Sequence, residues 1–185
     1  VLFTYSRAGY LALAVGLLTF FIISKKLKLF IVSLALLAAA VLFLPTPAGE
    51  GVNLTRTYSI FTRLVNYQTT VDVFLENPVV GVGYNNLCLV KRMYFGVDSA
   101  SHSCSGSDSS ILLILATGGV IGAILVFDIV LQMLKNKNII KNKLIVFPII
   151  AALFVHTNVN NSLFYPWVMA FLAIFFAGVR TSSEQ

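Results

Sequence analysis

Residues 109–134 read SSILLILATGGVIGAILVFDIVLQML, a run in which Asp128 is the only charged residue. About 20 apolar residues are enough for a helix to cross the hydrocarbon core of a bilayer, so this run predicts a membrane span. The chain as a whole is also strongly apolar, since 58% of its 185 residues are hydrophobic and only 11% are charged. Such a composition is typical of a polytopic membrane protein and excludes an ordinary soluble domain.

Further apolar segments lie on both sides of this run. The stretch 144–179 is too long for one span, and its polar middle, residues 156–162, divides it in two. The chain starts at Val1, inside an apolar stretch and without Met or a leader, so we expect a fragment of a longer protein. We predict an all-α, polytopic transmembrane helix bundle that forms one membrane domain, with about five spans, at residues 8–23, 29–44, 109–134, 144–157 and 162–179.

Basic residues predict the orientation of these spans. Three lysines lie in the connection 24–28 and four in the connection 135–143, and Arg180 follows the last span. Short loops rich in lysine and arginine stay on the cytoplasmic side, so both connections should be cytoplasmic. The long connection, residues 45–108, should then be extracytoplasmic, together with Arg7.

The long loop should contain one amphipathic helix, at about residues 57–77. Apolar residues recur there at helical spacing, and Asn77-Pro78 should end the helix because the residue before proline disfavours the α region. Arg56, Arg63 and Thr70 are seven residues apart, so they should share one polar face above an apolar back. The helix could lie at the membrane interface or cap the bundle.

The net charge of +6 does not indicate nucleic-acid binding. The cations lie at the ends of apolar segments and in the loop, whereas a nucleic-acid-binding protein carries them as a stripe or tail. Contacts with anionic lipid headgroups and topology signals explain the same pattern. We therefore expect membrane lipids, and not nucleic acid, among the partners.

Arginine and histidine supply the candidate chemistry at the predicted outer face. Arg7 either anchors the first helix by snorkelling or binds phosphate through its guanidinium fork. Arg63, with Arg56 as possible support, offers a second such group. His102, just before the third span, is a candidate general base, since a neutral imidazole can take a proton from a hydroxyl.

Two further ionisable residues have ordinary explanations as well as functional ones. Asp108 should act as the N-cap of the third span and could also orient His102 or an acceptor hydroxyl. His156 lies inside the membrane near its outer side, where a packing histidine and a functional one are both expected. Neither the histidines nor the cysteines have the spacing of a metal site, so we predict no metal and no cofactor. A bridge between Cys88 and Cys104 is left open.

Four blocks of the sequence, taken in order, resemble the O-antigen ligase and Wzy-type polymerase superfamily. They are TYSRAG at 4–9; RLVNY at 63–67 with ENPVVGVG at 76–83; SHS at 101–103 with DSS at 108–110 and LATGGVIG at 115–122; and NSLFYP at 161–166. Tyr67 stands where tryptophan is commoner in that family, and Ser103 where asparagine often follows the histidine. The chain resembles the C-terminal half of such proteins.

The resemblance implies a metal-independent glycosyltransferase in the inner membrane of a bacterium. Its members move a glycan from a polyprenyl-pyrophosphate carrier to a hydroxyl of a glycan or lipid acceptor on the extracytoplasmic face. Arg7 and Arg63 match the arginines that hold the pyrophosphate, and His102 matches the histidine proposed to activate the acceptor. The sequence does not separate ligase from polymerase.

Two alternatives from other classes remain open at this point. Half of a transporter or channel would place ionisable groups such as His156 along a pathway near mid-membrane. A structural membrane fragment would have no activity of its own. The gathering of cations at the outer face favours the enzyme.

Overall fold

A computed structural model describes residues 6–43, 58–101, 103, 104 and 106–181. Every regular element among these residues is a helix, as predicted. The chain divides into two compact units. The first contains residues up to 57 together with 141–156, and the second contains residues 58–140 together with those from 157 onward.

Eight α-helices follow one another along the described chain. Their bounds are α1 Arg7–Ile23, α2 Leu27–Phe43, α3 Tyr58–Glu76, α4 Leu87–Phe95, α5 Ser110–Lys135, α6 Lys137–Lys141, α7 Lys143–Val159 and α8 Pro166–Thr181. A short 3₁₀ turn, Tyr84–Asn86, precedes α4. Proline begins α8, in the first helical position where its missing N–H has no cost.

The five predicted spans coincide with helices α1, α2, α5, α7 and α8, and the predicted loop helix coincides with α3. Helix α4 in the loop was not predicted. Among the described residues, only α5 is both long and apolar enough to cross a membrane by length and composition, and four shorter apolar helices accompany it. The number of spans and the single membrane domain therefore stay predictions.

Small residues form the buried face of α1 in the first unit. Ala8, Ala12 and Gly16 recur every fourth residue and are buried. At Gly16 an added Cβ would lie 3.2 Å from Cβ of Ala152 and 3.3 Å from the carbonyl oxygen of Pro148. Helices α1 and α7 thus approach closely at small side chains, a mode of helix packing that is common in membranes.

Helix α2 presents apolar side chains outward along its whole length. None of its residues is buried, and Ile31, Leu36 and Phe43 are among its large exposed side chains. An apolar surface of this extent is unfavourable in water and suits contact with lipid or another apolar surface.

The core of the second unit joins three helices and the turn before α8. Val73 of α3, Leu87 of α4, and Leu113 and Ala116 of α5 are fully buried against one another. Phe164 packs on this core from the turn before α8. The two loop helices are therefore held on the first half of α5.

Helix α5 is interrupted at Gly119, which has φ 61° and ψ −164°. In a continuous helix the N–H groups of Val120 and Ile121 would donate to the carbonyls of Ala116 and Thr117. Instead they donate to Pro78 at 2.8 Å and to Val79 at 3.2 Å. The prediction of one continuous third helix is corrected by this break.

The freed carbonyls are satisfied by the same crossing segment, residues 78–83. Ala116 accepts from the N–H of Val82 and Thr117 from that of Gly83, both at 2.9 Å. A Cβ at Gly119 would overlap the carbonyl of Val79, and one at Gly81 would overlap the backbone of Thr117. The glycines are needed because two backbones touch here, and the exchange gives partners to the four backbone groups that lose their helical hydrogen bonds at the break.

Candidate functional site

A cavity of about 660 Å³ opens in the second unit between α3 and the segment 97–108. Its wall combines apolar and aromatic side chains of α3 with charged and amide groups. Arg63, Asn66, Lys91 and Asp108 are the polar residues with the most specific partners. Of the predicted site residues, the structure thus brings Arg63 and Asp108 to one cavity.

Helix α3 turns its polar face inward and its apolar face outward. Asn66 and Thr70 are buried, whereas Ile60, Leu64 and Leu75 are exposed. The predicted helix and its two faces are confirmed, but the polar face does not lie on the solvent side, because it forms the floor of the cavity and meets partners there.

Arg63 and Tyr67 lie one helical turn apart and bind the same stretch of backbone. Arg63 donates to the carbonyl of Val159 at 2.8 Å and to Oδ1 of Asn160 at 3.0 Å, and the Tyr67 hydroxyl donates to the carbonyl of Asn158 at 3.1 Å. These acceptors stand where α7 ends, and carbonyls at a helix C-terminus lack intrahelical partners. A cation at that end also complements the helix dipole.

The surroundings of Tyr67 favour its neutral form. Burial raises its pKa above 10, the charge of Asp108 acts in the same direction, and the nearby Arg63 opposes both. The phenol therefore keeps its proton, and with it the hydrogen bond to Asn158, throughout the physiological range.

A buried lysine links α4 to α3 and to the loop before α5. The ammonium of Lys91 donates to Oδ1 of Asn66 and to the carbonyl of Ser103, both at 2.8 Å, and to the carbonyl of Gly106 at 2.9 Å. Asn66 in turn donates to the Asp108 carboxylate at 2.9 Å. Lys91 is fully buried, and its three N–H donors are all used.

Burial lowers the pKa of Lys91 to about 8, and the negative charge of Asp108 opposes this shift. The lysine is therefore charged at neutral pH but titrates within a range accessible to experiment. Its protonation state decides whether all three acceptors keep a donor.

A disulfide joins Cys88 to Cys104, with their Cα atoms 4.4 Å apart. Cys88 lies one helical turn before Lys91 on α4, so both residues project from one face of that helix. The bridge that the sequence left open is thus present, and it fastens the same loop that Lys91 holds.

Asp108 is not the N-cap of α5, which corrects the prediction. Ser109 is the N-cap and accepts from the N–H of Leu112 at 3.4 Å. The next residue, Ser110, donates to Oδ1 of Asn161 at 3.0 Å and accepts from the N–H of Leu163. Asp108 is left to accept from Asn66 at the cavity wall.

The other predicted site residues are distributed as follows. Arg7 begins α1 in the first unit and is exposed, and the preceding Ser6 caps the helix by accepting from the N–H of Gly9 at 3.2 Å. His156 lies in the last turn of α7 and is half-buried. His102 and Arg56 lie outside the described residues.

Comparison with known families decides the relationship. The model of the O-antigen ligase family matches residues 1–127. The chain belongs to the O-antigen ligase family. Neither the curated proteins nor the solved structures contain a match to it. Members of this family are membrane-associated enzymes of the glycosyltransferase type that act on a lipid-linked glycan.

The geometry gives physical reasons for the blocks by which the chain resembles the O-antigen ligase family. Residues 76–83 and 115–122 are the two partners of the backbone exchange at Gly119. The block 63–67 supplies the hydrogen bonds to the C-terminal end of α7. A tryptophan at position 67 would offer its indole N–H as the donor in place of the Tyr67 hydroxyl. The block 161–166 lies beyond the matched residues, and Asn161 bonds to Ser110 at the start of α5.

The sequence did not identify Asn66 and Lys91 as central residues of this member of the O-antigen ligase family. Lysine is rarely fully buried, so its burial cannot be predicted from its type. Cys88 and Lys91 are three residues apart, which places both on one face of a helix. This spacing indicates a shared role only once residues 87–95 are known to be a helix.

Proposed function

We propose that the protein transfers a glycan from a polyprenyl-pyrophosphate carrier to an acceptor hydroxyl on the extracytoplasmic face of the inner membrane. Membership of the O-antigen ligase family supports the reaction class and a lipid-linked donor. The observation that carries the proposal is the cavity at α3, where Arg63 and Asp108 meet Ser101 and Ser103.

The two arginines are assigned to the pyrophosphate leaving group. A pyrophosphate needs its developing charge neutralised, and guanidinium groups bind phosphate oxygens bidentately. Arg63 lines the cavity while two of its N–H groups hold α7, which leaves further donors of its five for a ligand. The bonds to α7 also fix the orientation of the side chain.

Arg7 is assigned to the same leaving group from the start of α1. A cation in the first turn of a helix opposes the helix dipole, and α1 has no acidic residue there to offset it. An anion at this position would be stabilised both by the Arg7 guanidinium and by the positive end of the helix dipole. A guanidinium at the start of α1 is therefore suited to binding phosphate.

His102 is assigned as the general base that takes the proton of the acceptor hydroxyl. Its neighbours Ser101 and Ser103 both line the cavity. Asp108, with His156 as further support, would provide the polar surroundings in which the acceptor hydroxyl is oriented.

The extracytoplasmic location has two independent supports. The lysine-rich connections, residues 24–28 and 135–143, favour the cytoplasmic side for the opposite ends of the helices. The Cys88–Cys104 bridge favours an oxidising compartment for the loop, because the bacterial cytosol keeps thiols reduced.

The test is glycan transfer by variants of the full-length protein in membranes, with a lipid-linked glycan as donor and alternative acceptors. Arg7→Ala and Arg63→Ala should each lower the rate by about a hundredfold, since one lost contact to the transition state costs about 3 kcal/mol. Arg→Lys should also impair transfer, because lysine keeps the charge but not the fork. His102→Ala should lower kcat and leave the KM for the donor nearly unchanged.

Arg92→Ala is the matched control, because Arg92 is an exposed arginine of α4 that is not among the residues lining the cavity. It should transfer glycan like the wild type. Wild-type rates for both Arg7→Ala and Arg63→Ala, at equal amounts of protein in the membrane, would refute the proposed site.

A further inference from the structure

The face of α4 that carries Cys88 and Lys91 fastens the segment 103–106 at three points. The bridge reaches Cys104, and the Lys91 ammonium reaches the carbonyls of Ser103 and Gly106. These positions begin directly after His102. A backbone held by one covalent bond and two charge-assisted hydrogen bonds has little freedom to shift.

We propose that Lys91 is a positioning residue for glycan transfer, which holds Ser103 and Gly106, just after His102 in the sequence, against α3. The proposal rests on the proposed function, since it takes His102 as the group that acts on the acceptor. Lys91 does not act on the substrate, because its three donors are already bonded to Asn66, Ser103 and Gly106. Its role is to fix the distance between the loop and the floor of the cavity.

Asn66 connects Lys91 to Asp108 and so fixes where the loop meets α3. Its Oδ1 accepts from Lys91 and its Nδ2 donates to Asp108, so one side chain of α3 joins the lysine to the carboxylate at the other end of the loop. The backbone carbonyl of Asn66 also accepts from the buried Thr70 hydroxyl at 2.6 Å. Loss of the lysine would leave the half-buried carbonyls of Ser103 and Gly106 without this donor. The buried Oδ1 of Asn66 would keep only a 3.5 Å contact with the Thr70 hydroxyl, and the loop would move to find water.

Deprotonation of Lys91 offers a test that needs no substitution. A neutral amine has two N–H donors, so above about pH 8 one of the three acceptors loses its bond. Asp108 before α5 is the charged group that acts on the pKa of Lys91, and Arg63 of α3 lines the same cavity. Tyr67 of α3, whose pKa is raised by burial, stays neutral around pH 8.

The expected signature separates positioning from simple support of the fold. Because the folded-state pKa is lowered, loss of the proton above pH 8 relieves the burial of charge and does not destabilise the fold. Transfer should therefore decline above about pH 8 while the unfolding temperature does not. A purely structural role predicts that activity and stability move together.

The experiment compares Lys91→Met with wild type and with the control Arg92→Met, the exposed neighbouring cation on α4. In Lys91→Met a membrane-impermeant phosphine should reduce the Cys88–Cys104 bridge several-fold faster, as followed by thiol alkylation and mass spectrometry. Its kcat should fall by about 10- to 100-fold, since a shift of about 1 Å in a catalytic group costs about a hundredfold. The KM for the donor and the rates of Arg92→Met should match wild type.

Unchanged bridge reduction together with unchanged kcat in Lys91→Met would overturn the proposal. If that variant does not fold, the pH dependence of transfer and of thermal unfolding in the wild type is the test. The proposal is overturned if transfer and stability decline together above pH 8, or if transfer does not change across pH 8. The rate at which the Cys88–Cys104 bridge is reduced can be measured without any glycan transfer. This measurement therefore still tests the role of Lys91 if the wild type does not transfer glycan and the proposed function fails.

Discussion

At the scale of single residues, polar side chains in the second unit bind backbone more than they bind one another. Arg63 and Tyr67 hold the end of α7, and Lys91 holds two carbonyls of the loop before α5. Loops and helix ends leave carbonyls without partners, and such groups are costly when they are buried. These side chains therefore fix irregular segments that no regular hydrogen-bond pattern could fix.

Replacing Tyr67 tests this use of side chains. Tyr67→Phe removes the bond to Asn158 and should lower stability by about 1 kcal/mol, while Tyr67→Trp should retain a donor. Because the pKa of Tyr67 is raised in the folded state, the neutral phenol makes its full contribution to stability below pH 10. That contribution is lost as the pH rises through the raised pKa. Thermal unfolding in detergent over this range should show a decline that Tyr67→Phe lacks. An identical decline in Tyr67→Phe would assign it to another group.

At the scale of elements, the break in α5 organises the second unit. The segment 78–83 replaces the two helical hydrogen bonds lost at Gly119 and joins the C-terminal end of α3 to the middle of α5. Both approaches of backbone to backbone need a residue without Cβ. The site is thus attached to α5 by these main-chain contacts, which depend on the glycines, in addition to the side-chain core of Val73, Leu87, Leu113 and Ala116.

Adjacent glycines provide a matched test of the break. Gly119→Ala places a side chain at φ 61° and into the carbonyl of Val79, so it should destabilise the protein by about 3 kcal/mol or more. At Gly118 nothing lies within 4 Å of an added Cβ, and alanine there should be neutral or stabilising by up to about 1 kcal/mol. Thermal unfolding of both variants measures the difference. Equal stabilities would show that α5 is continuous in the membrane.

At the scale of the whole molecule, the described helices bury polar groups and expose apolar ones. In α4, Lys91 is fully buried while Met93 is 71% exposed, and α2 has no buried residue at all. Water disfavours that arrangement, whereas lipid or a further apolar surface favours it. The distribution agrees with the membrane association of the family.

Labelling of single cysteines tests the predicted topology of five spans with an outer loop. In intact cells an impermeant maleimide should label Tyr94→Cys, whose position is exposed on α4. It should label Asn138→Cys, between α5 and α7, only after permeabilisation. The native cysteines do not interfere because they are bridged. Labelling of Asn138→Cys from outside would reverse the orientation and remove the proposed site from the outer face.

The sequence by itself determined six of the eight described helices and the resemblance to the family. Apolar run lengths placed α1, α2, α5, α7 and α8, and Asn77-Pro78 placed the end of α3, because these signals are local in the chain. Arg63 and Asp108 were also found from the sequence as residues of one region. The tertiary structure alone decided which face of α3 is buried, the pairing of residues 78–83 with α5, and the burial of Lys91. Each depends on contacts between residues distant in sequence, which hydrophobic periodicity does not encode, so the cavity emerged only once α3, α4 and the loop before α5 were packed together.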